Sequence, residues 1–481
     1  MNIKELIKLV KKYNPDEVER VTRAYEFASK AHEGQFRESG EPYIIHPVNV
    51  TYNLAMFHAD GASLVAGMLH DVVEDTPVTL KDIEKEFGDE VARLVDGVTK
   101  ISNMHFSTKA DATSANIRRL INSLNEDVRI IIIKLCDRLH NMQTLRYKRL
   151  DKQIRNAQET LNIFVPLAYF IGAFRLKCDL EDLCLEYIDN DSYELIKKKQ
   201  EDIKTDYMEC VNDAINDIKS VLKKHHIKND MRYKVMNIYQ IYKKLTIGYK
   251  LNDIHDLVNI KIMVPTEEDC YKVLGYIHKL YRPINDKFKD YIASPKTNKY
   301  SSLHTTVFGP DNHLLQIQIK TFQMDEINTF GLAAYWLSLK GEGKNKMQNE
   351  LKLNYQFFDT IRNINEVIRS DSDFIDKVKQ EIFSNNIYVY TLNGDIIELP
   401  KNSSVIDFAY KLHPNIGNHL YKAYVNGRQV KLSHSLKNKD RIMVITKETS
   451  HPNKEWLKYI STIKAKELVM DYLENGDVNQ K

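Results

Sequence analysis

Six residues in the first third of the chain have the types and spacing for metal-assisted hydrolysis: His46, His70, Asp71, Glu74, Asp75 and Asp137. They occupy three short contexts: Gly40-Glu41-Pro42-Tyr43-Ile44-Ile45-His46-Pro47, Leu69-His70-Asp71-Val72-Val73-Glu74-Asp75-Thr76 and Lys134-Leu135-Cys136-Asp137-Arg138-Leu139-His140-Asn141. Two imidazoles and two carboxylates suit a divalent cation that must bind oxygen anions and keep positions open for water. The further acidic pair supplies groups that orient or act as general acid and base. A cation that activates water and neutralises phosphate charge makes a hydrolase for phosphorylated substrates. Taken singly, each histidine reads more simply as a partly buried side chain and each acid as a solvated one. The set in these contexts outweighs that reading.

The elements that must position these residues are helical. Ala62 to Val73 is apolar apart from Gly67 and reads as one helix. On it His70 and Glu74 are four apart, as are Asp71 and Asp75, so each pair stacks on one face. Such a polar stripe running off an apolar helix is costly unless a cation or partner satisfies it. Val128 to Ile133 is β-branched, but Leu135, Leu139 and Met142 keep helical spacing, and the segment reads as a buried helix.

At 481 residues the chain should hold more than one domain. A net charge of +3 does not mark a nucleic-acid binder, and 43% hydrophobic with 28% charged residues is a soluble globular composition. No apolar run approaches a membrane span, and residues 1–12 are amphipathic and lysine-rich without a signal-peptide core. Five cysteines form no close-spaced pair and are odd in number, which fits a reducing cytoplasm.

Residues 1 to about 190 read as helix after helix. Beyond about 230 the pattern becomes mixed. Val258 to Val264 and Ser302 to Phe308 read as strands, and Leu315, Ile317 and Ile319 alternate with Gln316, Gln318 and Lys320. Residues 341–352 read as a linker, followed by helix to about Phe383. Short strands over 387–391, 396–399, 422–425 and 441–445 then form a small β-rich module, with Asn393-Gly394 as a hairpin turn.

The three contexts above, with Phe288-Lys289-Asp290-Tyr291-Ile292-Ala293 and Tyr300-Ser301-Ser302-Leu303-His304-Thr305-Thr306, resemble the long RelA/SpoT homologues. These are the enzymes that make and destroy (p)ppGpp. The resemblance runs over about residues 1–465 and implies a multidomain fold. An all-α HD-type hydrolase domain would span 1–190 and an α/β nucleotidyltransferase-like synthetase domain 195–345. A helical linker (346–384), a small β-grasp TGS domain (385–448) and a helical tail (449–481) would follow. By match to the family's motifs, His46, His70, Asp71 and Asp137 would ligate Mn²⁺, and Glu74 and Asp75 would position and activate the attacking water. Arg37, Ser39, Asn141 and Thr144 fall where the family holds the nucleotide. Glu38 departs from the lysine of many relatives.

The synthetase region resembles the family and lacks parts of it. Asp256 matches a magnesium-binding aspartate and Tyr300 a tyrosine that stacks on guanine. Lys289, Lys296, Asn298 and His304 match other nucleotide contacts. The strand motif Glu-Ile-Gln-Ile-Arg-Thr is here Gln316-Ile317-Gln318-Ile319-Lys320-Thr321, so Gln316 replaces the catalytic glutamate. An amide has the carboxylate's shape but neither its charge nor its basicity. Lys261 and Lys287 stand for arginines, which gives up planar bidentate contacts. Asp325 and Tyr335 stand for histidines, Thr329 for a glutamate and Gln240 for a serine.

The resemblance thus implies a Mn²⁺-dependent (p)ppGpp 3′-pyrophosphohydrolase whose synthetase domain is inactive or impaired, with Mg²⁺ needed only if that site works. The alternatives are a bifunctional synthetase and hydrolase, or a non-enzymatic guanine-nucleotide sensor acting through the TGS domain. The expected partners are ppGpp or pppGpp, and guanine nucleotides at the synthetase-like site, with no membrane. Family members continue into a C-terminal regulatory region on which ribosome sensing relies, and this sequence stops at Lys481. Ribosome or tRNA binding is therefore not expected.

Overall fold

The computed structural model describes residues 2–102, 127–246, 248, 257–284, 287–293, 300–310, 313–331, 387–392, 396–400, 402–438 and 440–475. The chain divides into two compact units, which among the described residues cover 2–331 and 387–475. Asp256, Lys296, Asn298, Tyr335, the expected linker over 346–384 and the Asn393-Gly394 turn lie outside the described residues.

The first unit begins all-helical. Its helices are α1 (Ile3–Tyr13), α2 (Val18–Ala31), α3 (Ile45–Met56), α4 (Gly61–Leu69), α5 (Val72–Asp75), α6 (Leu80–Phe87), α7 (Asp89–Ser102) and α8 (Val128–Gln143). Three largely buried helices form the centre. In α3, His46, Val48, Val50 and Leu54 are buried; every residue of α4 is buried; and the β-branched run of α8 is helical and buried. Gly67 lets α3 and α4 approach closely, since a Cβ there would collide with Leu54. Arg129 fastens α8 to its neighbours. Its buried guanidinium meets Asp127 at 2.7 Å, Asp60 at the start of α4 at 2.9 Å and Glu90 on α7 at 2.6 Å. Three carboxylates around one buried cation satisfy its donors and set the helix positions.

The expected continuous helix over Ala62–Val73 is two helices, with His70 and Asp71 in the break between α4 and α5. The physical reason is geometric: neighbouring residues of an unbroken helix do not face each other. The break turns both side chains to one point, with His70 Nε2 3.1 Å from Asp71 Oδ1.

The chain continues through α9 (Leu150–Glu159), a π-turn over Thr160–Phe164, α10 (Val165–Phe170), α11 (Phe174–Ile188) and the long α12 (Asn190–Lys224). A mixed sheet follows, its strands being β1 (Asp230–Val235), β2 (Val258–Val264), β3 (Arg282–Pro283), β4 (Lys289–Asp290), β5 (Leu303–Phe308) and β6 (Leu314–Thr321). Helices α13 (Ile238–Thr246), α14 (Glu267–Leu280) and α15 (Phe322–Phe330) accompany it. The strand order is β1-β2-β6-β5-β3, with β4 also on β5 and β2–β6 the parallel pair among the described residues. One face is apolar: Ile260, Ile262, Leu315, Ile317 and Ile319 pack on Val211, Ile218 and Leu222 of α12 and on Val273 and Ile277 of α14. The period-two alternation therefore sends the intervening polar residues to the other face.

In the second unit β7 (Ile387–Tyr390) pairs antiparallel with β8 (Ile396–Leu399). Helix α16 (Val405–Leu412) and the short α17 (Pro414–Asn418) lead to β9 (Leu420–Val425), flanked by β10 (Arg428–Val430) and β11 (Ile442–Thr446). A parallel bridge from Tyr390 to Arg441 completes the β-grasp pattern. Asp407 accepts from the backbone of Ser404, Ser461 and Thr462, which fastens the segment leading into α18 (Ile463–Asn475). Trp456, Ile460 and Val469 join the core of this unit.

Gly331, at the end of α15, has φ +61, and a Cβ there would strike the Ile171 carbonyl at the α10–α11 break. Gly331→Ala combines a strained backbone with a backbone collision. It should destabilise the first unit by about 2 kcal/mol, seen as a lower unfolding midpoint in calorimetry.

Candidate functional site

His70 Nδ1 lies 2.8 Å from the Gly67 carbonyl. A carbonyl only accepts, so Nδ1 carries the hydrogen of the neutral ring and Nε2 presents a lone pair. That Nε2 is buried without a hydrogen-bond partner. It faces Asp71 Oδ1 at 3.1 Å and Asp137 Oδ1 at 3.9 Å. From α3, His46 Nε2 reaches to 3.2 Å from Asp137 Oδ1 and 3.4 Å from Asp71 Oδ2. One ligand atom from each of His46, His70 and Asp137 lies within 4.8 Å of the others. Lone pairs and carboxylate oxygens aimed at one another repel unless a cation lies among them. Two imidazole nitrogens with carboxylate oxygens are the donor set of a divalent metal, and the residues fit such an ion.

The electrostatics agree. Burial would raise the Asp71 carboxyl, but His70 and His46 outweigh it and hold the group below its ordinary value. At Asp137 burial is likewise outweighed, by Lys134 and the two imidazoles, and the carboxyl lies well below the ordinary range. Burial lowers His46 against the pull of Asp137 and Asp71, which favours the neutral, ligating ring. Glu74 stands on the exposed side; partial desolvation and then the Asp71 charge raise it. That is the direction a general acid–base group needs.

The site opens into a cavity of about 440 Å³. Arg37, Ser39, Glu74, Asp75, Asn141 and Thr144 line it together with His46, Asp71 and Asp137, while His70 lies behind them. Arg37 donates to Asn141 Oδ1 at 3.1 Å, and Asn141 to Asp137 Oδ1 at 2.6 Å. Ser39 donates to Glu41, and Thr144 to the His140 carbonyl. The hydrolase residues expected from sequence are thus brought together.

Three neighbours were missed by sequence reasoning. Tyr43 OH lies 2.8 Å from Asp71 Oδ2 and 2.7 Å from Asp75 Oδ2, so it links these two carboxylates. Lys134 Nζ contacts Asp137 Oδ2 at 2.7 Å and lines the cavity. His140 Nδ1 lies 2.7 Å from His46 Nδ1, and burial with the His46 and Arg37 charges pulls it down to about 3. A signal for two of them exists: Lys134, Asp137, His140, Asn141 and Thr144 recur at three- and four-residue steps along one face of α8.

The second cluster lies on the polar face of the sheet. Register places Arg232, Lys261, Gln318, His304 and Lys289 in one line across β1, β2, β6, β5 and β4. Gln316 sits in the line between Asn259 and Thr306. Tyr300 OH lies 2.8 Å from His304 Nε2, and its ring packs on Phe174 and Tyr291. Lys320, only 2% exposed, pairs with Asp325 Oδ1 at 2.7 Å. Two of the residues that depart from the expected motif are therefore paired with each other. Of the expected synthetase residues, the structure gathers Lys289, Tyr300, His304 and Gln316 on this sheet.

The helical unit with its histidine–aspartate centre is of the HD class: the HD domain family matches residues 24–174. The region found in RelA/SpoT proteins matches 231–342, and the TGS domain matches 387–446. The guanosine-3′,5′-bis(diphosphate) 3′-pyrophosphohydrolase of Aquifex aeolicus is 37% identical over 478 residues, 98% of this chain and 67% of the relative. The protein so named in Borreliella burgdorferi is 38% identical over 476 residues, 98% of this chain and 70% of the relative. A GTP pyrophosphokinase of Myxococcus xanthus is 36% identical over 470 residues, 97% of this chain and 62% of the relative. The chain spans about two thirds of the length of these relatives. It belongs to the RelA/SpoT family and bears the expected HD, synthetase-like and TGS domains.

Burial and then the Lys320 charge lower Lys261 from 10.5 to about 8. Its folded value lies below its unfolded one, so this group makes stability rise with pH between about 8 and 10.5. In the folded protein its charge on the sheet face is lost as pH rises through about 8. Reductive ¹³C-methylation followed by NMR should show a lysine titrating near 8 that disappears in Lys261→Ala. In Lys320→Met the same signal should move upward, because a neighbouring positive charge is gone.

Proposed function

We propose that this chain is a (p)ppGpp 3′-pyrophosphohydrolase that uses Mn²⁺, and that its synthetase-like region no longer makes the nucleotide. The observation that carries the reading is the convergence of His46, His70, Asp71 and Asp137 at the floor of a cavity that Arg37, Lys134 and Lys148 also line. The relatives named as pyrophosphohydrolases supply the substrate class. A divalent cation at these four residues would lower the pKa of a bound water and offset phosphate charge.

The protein's own groups do the rest. Arg37 and Lys148 bind the anionic diphosphate. Glu74, raised by partial desolvation, takes the proton of the attacking water, and Asp75 is held for its part by Tyr43. The water oxygen bonds to the phosphorus attached at the ribose 3′ position. The 3′ P–O bond breaks, and the 3′ oxygen leaves and takes up a proton. The products are GDP or GTP and pyrophosphate. The loss of synthesis rests on Gln316, which cannot serve as a base or a charged cation ligand. Nucleotide chemistry and five free, buried cysteines suit a cytoplasmic enzyme.

One assay of the metal-stripped chain tests both halves. With Mn²⁺, ppGpp should give GDP and pyrophosphate, and without it nothing. ATP plus GDP should give no ppGpp under either condition. Glu74→Gln should lower kcat by about 10²–10⁴ with cation binding intact, whereas Asp71→Asn should lose cation binding as well. Synthesis that vanishes in Asp256→Ala would instead establish the bifunctional reading.

A further inference from the structure

We infer that His140 is a positioning residue that sets the tautomer of His46, and so the strength with which His46 holds a cation. The inference rests on the metal-site reading above. The two ring nitrogens in question, His46 Nδ1 and His140 Nδ1, are 2.7 Å apart, with ring centroids 4.9 Å apart and both residues buried. At that separation one hydrogen lies between them, and only one ring can own it.

A neutral imidazole carries one hydrogen. If His140 donates, His46 accepts at Nδ1 and must carry its own hydrogen on Nε2. That hydrogen then points at Asp137 Oδ1, 3.2 Å away, and His46 cannot ligate. If His46 donates, its Nε2 becomes a lone pair facing Asp71 and Asp137, and His140 carries its hydrogen on Nε2. The ligating state therefore requires His140 as the acceptor.

The two histidines of the site differ in this respect. His70 donates to the Gly67 carbonyl, which can never return a proton, so its ligating tautomer is locked. His46 faces an imidazole, which can either give or accept. On cation binding the shared hydrogen passes from His140 Nδ1 to His46 Nδ1, the His46 Nε2 hydrogen leaves to solvent and His140 takes one from solvent at Nε2, so the pair keeps two hydrogens and releases none net. A partner that orients a ligating histidine contributes about 10- to 100-fold in metal affinity.

The test compares full-length wild type, His140→Leu and His140→Asn by competition of Mn²⁺ against a chelating indicator. Leucine removes the acceptor, whereas asparagine offers a carbonyl oxygen near the place of Nδ1. His140→Leu should bind Mn²⁺ about 10- to 100-fold more weakly, and His140→Asn should recover most of that loss. Long-range ¹⁵N–¹H spectra of histidine-labelled wild type should show His46 and His140 both changing tautomer as Zn²⁺ is added, with His70 unchanged. His140→Leu binding as tightly as wild type would overturn the inference. So would equal weakening in both variants, or a His140 tautomer indifferent to Zn²⁺. Unfolding midpoints in EDTA identify a variant that fails to fold, in which case the spectra of the wild type decide. Absence of tight cation binding by wild type itself would overturn the underlying metal-site reading instead.

Discussion

One electrostatic constraint weighs on the whole helical unit: imidazole nitrogens and carboxylate oxygens of His46, His70, Asp71 and Asp137 crowd together at one largely buried point. Brought together without a cation they repel, and buried carboxylates cost free energy unless compensated. Much of the surrounding architecture reads as the means of imposing that convergence. The chain breaks between α4 and α5 so that His70 and Asp71, adjacent in sequence, can aim at the same place. Gly67 allows α3 close to α4 and lends its carbonyl to His70. Arg129 fixes α8 against α4 and α7 by three carboxylates. Lys134 offsets part of the negative charge at Asp137, and Tyr43 shares its phenol between Asp71 and Asp75.

How far this was legible depends on which physics wrote each feature. The six chemistry-bearing residues were readable because imidazoles and carboxylates set among apolar residues are costly, and their types match a cation's needs. The sheet was readable too: Val258–Val264 and the alternation at Leu315, Ile317 and Ile319 are the strands β2 and β6. The α4–α5 break was not, because its cause is a tertiary demand on two side chains and Ala62–Val73 has no local breaker to announce it. His140 escaped notice for a similar reason. Its meaning lies in a contact with a residue 94 positions away, and a tautomer is a property of the pair. Lys320 and Asp325 read singly as departures from a pattern, whereas in space they form one buried ion pair.

That pair bears on what has become of the sheet face. A buried lysine is tolerated when a carboxylate meets it, and Asp325 does so at 2.7 Å. Where the resemblance expects an arginine and a histidine, this chain has a buried lysine and an aspartate that form an ion pair. Gln316 stands in register with Asn259, two residues from Gln318, the partner of Lys261, and its amide brings no charge to the face. The face carries Arg232, Lys261 and Lys289 in register, with the uncharged amide of Gln316 beside that line. Binding of an anion and transfer of a diphosphoryl group make different demands: the first needs positive charge, the second also a positioned metal and a base. Lys261, Lys289 and His304 in register suit the first demand, and an amide at Gln316 cannot serve the second as a base.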